Sequence, residues 1–72
     1  MARERELATY HRELARLLMA GETGRFALIH GDELVSVWDT RRDAVQAGQD
    51  KFGPEAFLVQ QIQRESRYLP AA

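Results

Sequence analysis

The sequence predicts an α+β domain with the element order α-β-β-α-β and a three-stranded sheet in the order 2-1-3. Three observations carry this reading. Apolar residues near the N-terminus recur at spacings of three and four. Two strand-type runs flank a Gly31-Asp32 pair, which suits a tight primed turn. A second helix-type segment closes at Gly53-Pro54 and separates the second strand from a third.

The first element spans about Glu4 to Ala20. Leu7, Tyr10, Leu14 and Leu17 form its stripe, and Leu18 widens it. Glu13 and Arg16 can pair on the solvent side, and Gly21 is a natural stop. The stripe admits two readings. The helix either packs on its own sheet or projects to meet another chain.

The hairpin comprises Arg25–His30 and Glu33–Asp39. Pairing His30 with Glu33 and counting back sets Ile29 against Leu34, Leu28 against Val35, Ala27 against Ser36 and Phe26 against Val37. One face then carries Phe26, Leu28, Val35 and Val37. The other carries Ala27, Ile29, Leu34, Ser36 and Trp38. Both are substantially apolar, so both need cover.

The second helix runs from Arg41 to Phe52, with Thr40 as N-cap and Asp43 in a capping-box position. Ala44, Val45, Gly48 and Phe52 make its apolar face. Gly48 costs about 1 kcal/mol of helix propensity, and close approach to the sheet is the expected return. Phe57–Ile62 is the third strand. It joins the second through a helix, so the two should run parallel with a right-handed crossover. The first strand lies between them, antiparallel to both. Residues 63–72 show no clear period and are expected to fray. No repeat or linker divides residues 1–72, so one domain is expected.

Size and composition exclude several classes. A 72-residue chain buries only about 60% of the surface its unfolded form exposes. Its stability is expected at about 3–5 kcal/mol. The absence of cysteine removes disulfides and thiolate zinc sites. A net charge of −1 gives no field for nucleic acid or an anionic membrane. The run Phe26-Ala27-Leu28-Ile29 is far too short to span a bilayer. The mixed-charge start, Met1 to Glu6, leads into no signal-type apolar segment, and the expected compartment is the cytoplasm.

Chemistry-bearing residues mostly have plainer explanations. Asp39-Thr40 lacks the glycine of an aspartic-protease loop and reads as a helix start. His30-Gly31-Asp32-Glu33 reads as a turn with a cross-strand polar pair. His11 has Ala15, not a ligand, four residues on. Gly21-Glu22-Thr23-Gly24 has the spacing of a nucleic-acid clamp, but Glu22 inside it and a following strand argue against one. Ser36 and Ser66 lie in no nucleophile-type turn. No metal or other cofactor is expected, and no small-molecule substrate.

The run Gly24-Arg25-Phe26-Ala27-Leu28-Ile29-His30-Gly31-Asp32-Glu33-Leu34-Val35 resembles the hairpin of a family of small bacterial proteins of unknown function. Trp38-Asp39-Thr40, Asp43-Ala44, Gly48, Phe52-Gly53 and Phe57-Leu58-Val59-Gln60-Gln61-Ile62 are similar to that family's continuation. The helix from Tyr10 to Leu18 fits the one that precedes its hairpin. Trp38 replaces the usual Phe or Tyr, and Ser36 a frequent Gly. The resemblance implies the same fold, no defined activity, and an accessory role beside a retropepsin-like aspartic protease encoded nearby.

The expected function is therefore a non-enzymatic interaction module, either a homodimer or an accessory subunit of another protein. Its candidate interface comprises Trp38, Ile29, Leu34, Leu7, Tyr10, Leu14 and Leu17. The alternative is a small nucleic-acid-binding or regulatory protein using Arg41, Arg42, Arg64 and Arg67.

Overall fold

Tyr10, Leu14 and Leu17 are the buried side of the N-terminal helix, and they bury against the chain's own sheet. This settles one of the two readings of that helix. The computed structural model describes residues 2–64, with side chains from Glu4. The elements are α1 (Ala2–Met19), β1 (Phe26–His30), β2 (Glu33–Trp38), α2 (Arg41–Phe52) and β3 (Leu58–Gln61). Residues 65–72, which include Ser66, Arg67 and most of the tail expected to fray, lie outside the described residues.

The sheet order is β2-β1-β3, with β1 antiparallel to both neighbours, as the sequence predicts. The hairpin register differs. His30 pairs with Glu33 and Ile29 with Leu34, but then Leu28 pairs with Ser36, Ala27 with Val37 and Phe26 with Trp38. Val35 is the extra residue of a β-bulge. Counting back from the turn assumed an unbroken period of two, and the bulge breaks it. Beyond Leu34 every β2 side chain therefore changes face. Ala27, Ile29, Leu34 and Val37 meet α1, together with Leu58 and Ile62. Phe26, Leu28, Ser36 and Trp38 share the opposite face, where α2 packs. Trp38 is thus removed from Ile29 and Leu34, with which the sequence had grouped it. The reason lies in packing. Leu34 and Val37, three residues apart, both reach the α1 core, which an unbulged strand would forbid.

The hairpin tip is tied to α1 by polar contacts. Gly31, at φ +61°, supplies the left-handed conformation of the turn. Its N–H donates to Glu6 Oε2 at 2.8 Å, and its carbonyl accepts from Thr9 Oγ1 at 2.7 Å. Glu6 and Thr9 are both buried. Arg5 pairs with the Asp32 carboxylate at 3.3 Å, and Arg12 donates to the Asp32 carbonyl at 2.7 Å. At the other end of the α1 core, Tyr10 Oη donates to Gln61 O at 3.0 Å.

α2 begins and ends where its caps dictate. Thr40 Oγ1 accepts from Asp43 N at 3.1 Å, satisfying one of the helix's unpaired first-turn donors. Gly53 donates back to Gln49 O and closes the last turn. Only Ala44 and Gly48 are buried on α2. These are small side chains, so α2 covers its side of the sheet thinly.

Candidate functional site

Thin cover leaves an opening. Beside α2, at the β3 edge of the sheet, lies an open groove of about 390 Å³. Arg41 and Val45 of α2 form one wall. Glu55, Ala56, Phe57 and Val59 form the other. Val59 pairs with Leu28, which places it on the α2 side of the sheet. Phe57 reaches under α2, where its ring lies against Gly48. The groove has an apolar floor and one charge of each sign.

The charges sit at opposite ends. Arg41 lies over the Phe26 ring, 5.2 Å from its centroid, and Phe26 pairs with Gln61 at the end of β3. Glu55 lies near His30, beyond the start of β3, at 3.3 Å from Nε2. The His30 ring stacks on Phe52 at 4.1 Å between centroids, and its Nδ1 is 2.9 Å from Ala56 O. His30 thus fixes the connection between α2 and β3. The Ala56 carbonyl can only accept, so the donor in that hydrogen bond is Nδ1.

β3 is an edge strand, and its hydrogen-bond phase can be read from its continuation. Ile62 N donates to Arg25 O at 2.8 Å. In an antiparallel ladder, bonded and non-bonded pairs alternate. Leu58 and Gln60 therefore turn their backbone groups toward β1. Val59 and Gln61 turn theirs outward, and their side chains lie on the α2 side. The same phase carried one residue before the start of β3 turns the Phe57 groups outward as well. The Gln61 carbonyl already accepts from Tyr10.

The two edges differ. β2 begins at the charged Glu33 and is bent by the Val35 bulge, and both features oppose strand addition. β3 reads Leu-Val-Gln-Gln, with no charge, proline or bulge.

The residues singled out in the sequence are dispersed. Ile29, Tyr10, Leu14 and Leu17 are buried in the α1 core, and Leu34 packs against it half-buried. Leu7 is 39% exposed on the outer side of α1. Trp38 is half-buried on the α2 side at the β2 edge, and its indole N–H donates to Ser36 Oγ at 2.7 Å. Asp39 pairs with Arg25 at 2.8 Å. Arg41, Arg42 and Arg64 are exposed. Among the described residues no cluster of three or more His, Asp or Glu is arranged to hold a metal ion. No described helix is long and apolar enough to cross a membrane.

Sequence reasoning missed Glu6, Thr9 and the groove. Glu6 lies four residues before Tyr10, so extending the apolar stripe backward would have placed it on the buried side. The groove had a partial signal in Gly48, read as a point of close approach. Comparisons of the chain with protein-family models, with curated proteins and with solved structures give no match.

Proposed function

We propose that the protein is a non-catalytic interaction module that takes an extended protein segment along β3, in the groove beside α2. One observation carries this reading. The outward backbone groups of Val59 and the apolar groove beside α2, which Val59 and Phe57 line, belong to the same strand edge. An added strand can hydrogen-bond to that edge while alternate side chains enter the groove, a recurring mode of peptide recognition. The thin core of a 72-residue chain adds a reason to bind, since docking buries further apolar surface. An accessory role beside a retropepsin-like protease, implied by the hairpin resemblance, would use the same edge. The net charge of −1 weighs against the nucleic-acid alternative through Arg41, Arg42, Arg64 and Arg67.

The test is a selection of displayed random peptides against the immobilised full chain, followed by amide NMR of the complexes. Selected peptides should shift the resonances of Val59, Gln61 and Val45. Selected peptides that all leave β3 and α2 unmoved in a chain that light scattering shows to be monomeric would sink the reading.

A further inference from the structure

We infer that the segment this groove receives is β3 of a second copy of the chain, so that the protein is a two-fold dimer with one sheet running through both subunits. The inference rests on the groove being a protein-docking site and names its occupant.

The ladder phase restricts the register to steps of two residues, and the step centred on Val59 pairs all the outward groups between Phe57 and Gln61. Outward groups lie on Val59 and Gln61, and on Phe57 when the phase is carried one residue before β3. An antiparallel pairing centred on Val59 sets Val59 against its own copy and Phe57 against the partner's Gln61. The Val59 donor and acceptor then meet those of its own copy, and the partner's Phe57 N–H meets the second lone pair of the Gln61 carbonyl, the first being taken by Tyr10. The same patch serves both subunits, as a two-fold interface requires. A shift by one residue would oppose inward-turned groups and lose the bonds.

The charges fit the same operation. Arg41 lies at the Gln61 end of the groove and Glu55 at the Phe57 end. Reversing the strand direction across the two-fold axis brings Arg41 toward the partner's Glu55, and Glu55 toward the partner's Arg41. Glu55 is 66% exposed and free to turn toward a new neighbour while it still flanks His30. A parallel pairing would instead set like charges together.

The helices also fit. A two-fold axis normal to the sheet keeps both copies of α2 on one side. α2 contacts all three strands, which centres it over β1, so the two helix midpoints would stand about three strand spacings apart, roughly 14 Å. A helix with its side chains is about 10–12 Å across. The pair clears, and the remaining gap is that of the two grooves, filled by Val45, Phe57 and Val59 from both sides. The β2 edge offers no equivalent, because Glu33 and the Val35 bulge interrupt it.

Light scattering on the full chain from about 10 μM to 1 mM tests this. Wild type should approach twice the 8.2 kDa chain mass. Val59→Pro removes an N–H that β1 does not use, so the variant should keep its circular dichroism and become monomeric. By symmetry, Arg41→Glu or Glu55→Arg turns two attractive contacts into two repulsive ones and should weaken association about tenfold or more. The double reversal should restore it to within about threefold of wild type. If Val59→Pro does not fold, the reversal cycle decides alone. A wild-type monomer at about 1 mM would overturn the dimer, as would a dimer indifferent to the reversals or to a folded Val59→Pro. Peptides that still shift Val59 in a monomer would leave the docking reading standing without the dimer.

Discussion

A Cβ added to Gly48 would lie 2.5 Å from Cε1 of Phe57, inside any tolerated contact. The glycine in α2 and the aromatic ring before β3 are therefore a matched pair. Gly48 brings the helix down on the sheet, and Phe57 fills the space beneath it and lines the groove.

The first prediction follows from that pair. Gly48→Ala gains about 1 kcal/mol of helix propensity but overpacks the ring, at a cost of about 1–3 kcal/mol. The single variant should be neutral or destabilised in urea unfolding. With Phe57→Ala already in place, the obstruction is gone and Gly48→Ala should stabilise by about 1 kcal/mol. A double-mutant cycle reads the coupling directly. Stabilisation by Gly48→Ala alone, equal in both backgrounds, would show that the ring yields at no cost.

The α1 clamp on the hairpin gives the second. Glu6 accepts from the Gly31 amide at 2.8 Å in a buried setting, and its other oxygen, Oε1, is buried with no hydrogen-bond partner among the described residues. Glu6→Ala strands the Gly31 N–H and should cost about 1.5–3 kcal/mol, the range for a hydrogen bond to a charged group. Glu6→Gln keeps an acceptor and removes a buried charge, so it should match or exceed wild-type stability. Thr9→Val removes the donor to the Gly31 carbonyl and should cost about 1 kcal/mol. Hydrogen exchange at the Gly31 amide should accelerate in Glu6→Ala and not in Glu6→Gln. Equal protection in both would refute the clamp.

These residues also show which parts of the fold were legible in the sequence. The order of elements was legible because its signals are local: Gly31-Asp32 makes the turn, Thr40 caps α2, and Gly53 ends it. Strand order followed from connectivity. The register was not legible beyond Leu34, because the bulge at Val35 is chosen by packing against α1, not by the hairpin itself. Trp38 moved to the other side of the sheet for that reason alone. The helix period places Glu6 on the buried side, but what Glu6 and Thr9 bond there was not legible, because their partner, Gly31, is more than twenty residues away along the chain. The groove needed the ladder phase of β3, which no pattern of side chains encodes.

A third prediction concerns pH. The Arg16 guanidinium, hydrogen-bonded to the Glu13 carboxylate, holds that carboxyl below its ordinary value, and Arg12 adds to the effect. A depressed carboxyl contributes stability that is fully present above its unfolded value. The contribution is lost as the pH falls through the lower folded value. A carboxyl-carbon NMR titration should find Glu13 still ionised where exposed glutamates have begun to protonate. Arg16→Ala should move its midpoint up, part of the way to the ordinary value, since Arg12 remains. Added salt should do the same, because the pair faces solvent. A midpoint indifferent to both would remove the pair as the cause.

The last prediction tests the bulge as a guard on the β2 edge. Val35 is the one β2 residue without a partner on β1; Ser36 already pairs with Leu28 and Leu34 with Ile29. Deleting Val35 therefore leaves every observed pair in register and every side chain on its present face. The variant should fold, with a β-sheet circular dichroism signal close to wild type. What it loses is the bend that interrupts the outer edge. A straight, continuous β2 becomes a second place for strands to add, with only Glu33 left to oppose them. The deletion should therefore form species larger than those of wild type, growing with concentration. Placing a lysine at Ser36 in the same background should reverse this, because a charge beside an open edge disfavours pairing. A deletion variant that folds and shows wild-type size at all concentrations would mean that the bulge serves only to bring Leu34 and Val37 together on α1.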